Sequence, residues 1–222
     1  MDKKDGLNLH IDKDWNIVID VRAGNRIRHK VITPDSFCQI VAKNVRVKAV
    51  RSGILPEDCV TFCEKDGERF VVVELGQDTI DLTYEKTTHE NFPVPRLLYG
   101  FTVDTQGKIT NVYVTVAEKG TLRDDTKLYE YPFSNVNGFR MCTGDNALPE
   151  IKQLRQLSGI PCYLFSMPDN NDYYSPEQTK LNMEYRNLLE FLQDKDSDFY
   201  YTDVLIPSDK ALKDFICLGS VK

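Results

Sequence analysis

Arg96–Glu118, RLLYGFTVDTQGKITNVYVTVAE, holds two runs rich in aromatic and β-branched residues on either side of a polar turn, Thr105-Gln106-Gly107-Lys108. Such runs suit the pleated surface of a sheet, and a turn containing Gly between them marks a hairpin. Two antiparallel strands are expected here. Outward from this pair, RFVVVEL (69–75) and TIDLTYE (79–85) lie upstream and LYEYPFSNV (128–136) downstream, each with the same character, so the stretch reads as an antiparallel meander. Closer to the N-terminus, WNIVIDV (15–21), HKVITP (29–34) and QIVAKNVRVKAV (39–50) read as further strands separated by Asn, Gly and Asp at turn positions.

Helix is expected only after Cys142. Pro149 suits a first turn, Ile151, Leu154 and Leu157 share a face, and Gly159 followed by Ile160-Pro161 supplies a stop. The longest helix should start at Ser175 as N-cap, with Pro176 at the first helical position and Gln178 in the capping-box place. Its apolar stripe would be Leu181, Tyr185, Leu188, Leu189 and Leu192. A last short helix, capped by Ser208, would bury Leu212, Phe215 and Ile216. Strands first and helices last argue for an α+β fold, an antiparallel β-meander with C-terminal helices packed on one face. The proline-marked stretch Lys86–Pro95, KTTHENFPVP, reads as an extended, exposed linker. It would separate a β-rich N-terminal region, residues 1–90, from residues 91–222, unless the two form one continuous domain.

The 222 residues are 41% hydrophobic and 28% charged, enough to bury a real core. A net charge of −6 and a pI near 5.2, with Lys and Arg scattered along the chain, argue against a nucleic-acid partner. The N-terminus has no signal-like apolar run, and no stretch of about 18 apolar residues suggests a membrane partner, so a cytoplasmic protein is expected. Six Cys lie far apart and read as free thiols in a reducing compartment. Cys59 and Cys63 are spaced CxxxC, but His10, His29 and His89 form no ligand-spaced cluster with them, so no metal or cofactor is expected.

The chemistry concentrates at the exit of the last expected strand, where Asn135 and Gly138 precede Cys142 and Gly144 follows it. A Cys nucleophile needs partial exposure and a donor for the developing oxyanion. A lone intracellular Cys is most often a small buried hydrophobe, and Asn135 reads equally as a turn residue whose amide serves the local backbone. Asp145 suits both the steering of an incoming lysine ammonium and the N-cap of the next helix. Tyr173-Tyr174, in a polar loop, suit either a protein-contact surface or a cover for the helix start. A Cys-His dyad would need one of the three His, with His89 the candidate.

These residues carry a resemblance. Tyr131-Pro132-Phe133, Asn135, Gly138 and Cys142 resemble the strand-to-loop segment of ubiquitin-conjugating enzymes, in which an asparagine stands several residues before the catalytic Cys. A closer likeness is to the bacterial PRTRC system protein B family, family D of the prokaryotic ubiquitin-conjugating-enzyme-like superfamily. It runs through Pro93-Val94-Pro95-Arg96-Leu97-Leu98, Thr126-Lys127-Leu128-Tyr129, Pro132-Phe133-Ser134-Asn135-Val136, Cys142-Thr143-Gly144 and Phe199–Pro207, FYYTDVLIP. The resemblance implies a ubiquitin-conjugating-enzyme-like core with a β-rich N-terminal extension. It also implies a Cys142 that accepts a ubiquitin-like protein as a thioester and passes it to an amine. Asn135 would aid the oxyanion or hold the loop, and Gly138 and Gly144 would let the backbone turn tightly on either side. The implied partners are a ubiquitin-like protein, an adenylating enzyme and a JAB-type metalloprotease. The chain departs from the eukaryotic pattern in having Phe133-Ser134-Asn135 where those enzymes have His-Pro-Asn, and no His falls within the motif. A non-catalytic adaptor of the same fold, with Cys142 structural, is the alternative.

Overall fold

The computed structural model describes residues 6–23, 26–44 and 51–219, and the chain divides into two units, residues 1–50 and 51–222. In the first unit, β1 (Gly6–Ile11), β2 (Ile17–Ala23) and β3 (Arg26–Ile32) form an antiparallel sheet in that order, with Ile17 paired to Ile32 and both buried. Asp20 on β2 faces His29 at 2.6 Å and His10 at 3.5 Å. Residues Pro34–Asn44 then form a helix, α1. The strand expected from residue 39 is therefore corrected to helix over 39–44, and helix does not wait for Cys142; residues 45–50 of that expected strand lie outside the described residues. The local start signals outweigh the β-branched Ile40 and Val41. Thr33 accepts the Ser36 N–H at 3.2 Å, Pro34 occupies the first turn, Asp35 stands at the positive end of the helix and Lys43 at the negative end.

The second unit begins with β4 (Cys59–Lys65) and β5 (Glu68–Leu75), followed by a hairpin of β6 (Asp78–Tyr84) and β7 (Thr87–Val94). Then come β8 (Leu97–Val103), β9 (Ile109–Ala117), β10 (Lys127–Tyr129), β11 (Val136–Asn137) and β12 (Arg140–Met141). The main sheet runs β11-β12-β9-β8-β5-β4, all antiparallel, and β10 also pairs with β9. The meander is thus present with the β6–β7 hairpin inserted between two sheet neighbours. Lys86–Pro95 is no exposed linker. Most of it is β7, and Phe92, Pro93, Val94 and Pro95 are buried. Pro93 is accommodated because its hairpin is a separate two-stranded sheet, in which a strand lacking one N–H loses no second neighbour.

Strand alternation sorts two cores. Val71, Val73, Tyr99, Phe101, Val112 and Val114 face one side, and Phe70, Val72, Leu98 and Leu128 the other. On the first side, a 3-10 turn at Leu154–Gly159 leads directly into α2 (Ile160–Ser166), and α3 (Tyr185–Leu192) follows. Gly159-Ile160-Pro161 does not stop a helix but starts one, with Pro161 in the first turn where its missing N–H has no partner to lose. The capping box at Ser175 and Gln178 forms, yet it opens only a 3-10 turn, Pro176–Gln178. The chain then extends at Thr179, which bridges to Leu205, and Asn182 takes a left-handed φ of +50°. The long helix is thereby shortened to α3, which still buries Tyr185, Leu188, Leu189 and Leu192 as the stripe required. Finally β13 (Pro207–Ala211) pairs with β10, and α4 (Leu212–Ile216) covers the second face with Leu212 and Phe215. Ser208 lies in β13, and the residue preceding α4 is Ala211, whose N–H is taken by Asp214 at 2.9 Å.

Candidate functional site

Strand β10 lies against the end of β9, Leu128 opposite Ala117 and Tyr129 opposite Val116, and Arg140 of β12 returns to the same edge opposite Tyr113. Residues 130–139 are therefore an excursion out of one strand position and back into its continuation. Its start is pinned by apolar burial: Tyr131, Pro132, Phe133 and Ser134 are all buried. The Phe133 ring meets Tyr131, Phe92, Phe165 and Tyr200 edge to face at 5.3–6.1 Å. Such aromatic pairs contribute about 0.5–1.5 kcal/mol each beyond their burial. Backbone satisfaction comes from Gln178, whose side-chain amide donates to Tyr131 O at 3.1 Å and Phe133 O at 2.8 Å.

Asn135 follows in the left-handed region, φ +61°, which Asn tolerates better than most residues. Its N–H donates to Asp172 O at 2.6 Å, and its own carbonyl accepts the Cys142 N–H at 2.7 Å. Between the two, β11 and β12 form a minimal hairpin in which Asn137 pairs with Arg140 around Gly138-Phe139. Gly138 at φ +59° takes the first turn position, as a two-residue turn of this type asks. Gly144 at φ +57° reverses the chain on the far side of Cys142.

Cys142 itself is exposed, and its residue lines two clefts. One, of about 120 Å³, has Tyr99, Tyr131, Ser134, Asn135 and Asp169 in its wall. The other, of about 450 Å³, is walled by Asn111, Asn137, Arg140, Leu148 and Tyr173. Asp145 is exposed on a third, shallower hollow beside Thr143 and Gly144. It caps no helix, because the next helical turn begins only at Leu154.

The smaller cleft is polar at its floor. The Asn135 side-chain amide donates to Asp169 Oδ1, the Asn170 N–H reaches the same oxygen at 3.0 Å, and the Tyr185 hydroxyl donates to Oδ2 at 2.6 Å. Burial pushes the Asp169 carboxyl above its ordinary value despite these donors, and burial likewise pushes the Tyr131 and Tyr185 phenols well up. Ser134 Oγ lies close enough to favour the ionised carboxylate, yet it and Tyr99 OH are buried with no well-formed hydrogen bond among the described residues.

The smaller cleft thus brings together Cys142, Asn135 and Gly144, whereas Gly138 stands at the tip of the β11–β12 hairpin and Asp145 outside both clefts that Cys142 lines. His89 is on β7, where its Nδ1 meets Gln193 Oε1 at 2.9 Å, and lines neither cleft. Tyr173 is exposed on the larger cleft, while Tyr174 packs on Tyr185 at 4.8 Å and donates to Met183 O at 2.6 Å, so Tyr174 takes the covering position. Asp169 and Tyr185 were missed. Asp169 sits in the run Pro168-Asp169-Asn170-Asn171-Asp172, which reads as a plain polar loop, and Tyr185 reads as one more core residue of its helix. Only the tertiary fold brings them to Asn135.

The sequence model of Prokaryotic E2 family D matches residues 39–208, a span that includes strands β4 to β12, the excursion and Cys142. No curated protein and no solved structure matches the chain.

Proposed function

The chain belongs to prokaryotic E2 family D, and from that membership we propose that it conjugates a ubiquitin-like protein through a thioester on Cys142. In the first step the Cys142 thiolate attacks the C-terminal carbonyl of the ubiquitin-like protein, held as a thioester on its adenylating enzyme. A new C–S bond forms to Cys142, the old C–S bond breaks, and the donor enzyme's thiol leaves with a proton. In the second, a primary amine attacks the same carbonyl. The C–N bond forms, the C–S bond to Cys142 breaks, and the amine gives up a proton to restore the thiol. The Asn135 amide would stabilise the oxyanion in both steps. Asp145 would steer a lysine ammonium from its position outside the loop. A JAB-type metalloprotease would reverse the modification or mature the modifier within the same bacterial PRTRC-type gene system.

The observation that carries this reading is the exposed Cys142 standing where two clefts meet, with its N–H fixed to the Asn135 carbonyl at 2.7 Å. The test is to incubate the protein with a ubiquitin-like protein and its adenylating enzyme, or with a glycine-terminated peptide thioester that bypasses the enzyme. A thiol-labile adduct is expected on Cys142, replaced by a thiol-stable ester or nothing in Cys142→Ser. An adduct of equal yield in Cys142→Ala would refute it.

One observation favours a second reading, an adaptor that binds the same partners without chemistry. The Asn135 amide already serves Asp169. An adaptor predicts that Cys142 reacts with a limiting thiol reagent no faster than Cys162 and Cys217, which are also exposed; selective labelling of Cys142 would exclude it.

A further inference from the structure

We infer that Asp169 is a positioning residue for the thiol loop: locked to the core by Tyr185, it orients the Asn135 amide and, through Asn135, the backbone at Cys142. Its main chain is fixed first. The Asp169 N–H donates to Thr83 O at 2.9 Å and its carbonyl accepts the Glu85 N–H at 2.8 Å, so it is stitched to the end of the β6–β7 hairpin. Its side chain is fixed next. Tyr185, 1% exposed, is held edge to face by Tyr84 at 5.2 Å and covered by Tyr174 at 4.8 Å, so its hydroxyl presents a fixed donor to Asp169 Oδ2.

From this fixed carboxylate the support passes outward. Oδ1 takes one N–H of the Asn135 amide, and the Asp172 carbonyl takes the Asn135 main-chain N–H, so the loop 168–172 grips Asn135 at both ends. A residue at φ +61° gripped in this way leaves its carbonyl pointing to the Cys142 N–H. An amide NH2 carries two donors, so the bond to Asp169 leaves the second N–H available. A hydrogen bond to an ionised acceptor is about twice as strong as a neutral one, so a carboxylate at this place fixes the orientation of the amide. A neutral acceptor would hold the amide for folding alone without the desolvation that the carboxylate bears here. A largely buried carboxyl lining the same cleft as an exposed thiol has the pattern of a functional residue.

The kinetic arm of the test rests on the reading of Cys142 as an acyl acceptor; the hydrogen-exchange arm does not. In the full-length protein, Asp169→Asn is compared with Tyr185→Phe, which leaves the carboxylate in place and removes its lock. For Asp169→Asn the Tm should stay within a few degrees, while exchange of the Asn135 side-chain amide and the Cys142 N–H speeds roughly tenfold. Tyr185→Phe should shift both in the same direction by less. When the peptide thioester is used to acylate Cys142 and free lysine to discharge it, discharge should slow roughly tenfold in Asp169→Asn and in Asn135→Ala, and the double variant should be no slower than the slower single. Unchanged exchange in Asp169→Asn, or slowdowns that multiply in the double variant, would overturn the role. If the unsubstituted protein takes no acyl group on Cys142, the conjugating function fails and the exchange rates alone decide the case of Asp169.

Discussion

Phe133 sits where four rings converge, two residues before the left-handed Asn135, and its removal should unseat the thiol loop as well as the core. Phe133→Ala should lower stability by about 3–5 kcal/mol in urea unfolding, the range for a fully buried aromatic. Asp169 works in the opposite sense. Burial raises its carboxyl above the unfolded value near 3.9, so the folded state holds that proton more tightly than the unfolded chain. Its contribution to stability is complete below the unfolded value and is lost as pH rises through the raised folded value. Asp169→Asn, which cannot ionise, should therefore gain stability relative to the parent as pH is raised from about 4 to 7. Urea midpoints compared across that range would check this, and a difference that shrinks with pH would contradict it. At this scale the left-handed turns at Asn135, Gly138 and Gly144 were legible, because their residue types match their backbone angles. Asp169 was not, because its partners Asn135, Thr83 and Tyr185 come from three separate elements.

Among the elements, β5, β6, β8 and β9 could be read directly, since alternation and turn chemistry agree along each of them. The failures share one cause: a local signal was outvoted by a contact from elsewhere or by a stronger local one. Ile40 and Val41 suggested strand, but the Thr33-Pro34-Asp35 start made helix. The prolines of residues 86–95 suggested a linker, but Phe92 and Val94 had a core to enter. Ser175 opened a helix that Thr179 ended by pairing with Leu205. Gln178 shows what that interrupted segment does instead, since its amide satisfies Tyr131 O and Phe133 O at the start of the excursion. Gln178→Ala should leave those buried carbonyls without their donor, cost about 1–3 kcal/mol, and raise amide exchange from residue 135 to residue 142. Stability that is unchanged would show that other donors replace it.

For the molecule as a whole, both buried clusters of the second unit draw, among the described residues, on residues of 51–222, and the excursion, its Gln178 support and Asp169 lie there as well. A chain of residues 51–222 should therefore unfold in one cooperative transition and keep selective labelling of Cys142; a fragment without a cooperative transition would mean that the first unit completes its core. Fold class was legible at this scale from the order of strands and helices, and the family was legible from the motifs along 93–207. The division after residue 50 falls just before Ser52-Gly53 and Pro56, a short turn-type stretch. No helix among the described residues is long and apolar enough to cross a membrane.

The decisive measurement is the intact mass, with peptide mapping, of the full-length protein after exposure to a glycine-terminated peptide thioester. A single acyl group on Cys142, removed by added thiol and absent from Cys142→Ala, is the expected result. An unmodified Cys142, or acylation spread equally over Cys142, Cys162 and Cys217, would contradict a conjugating role.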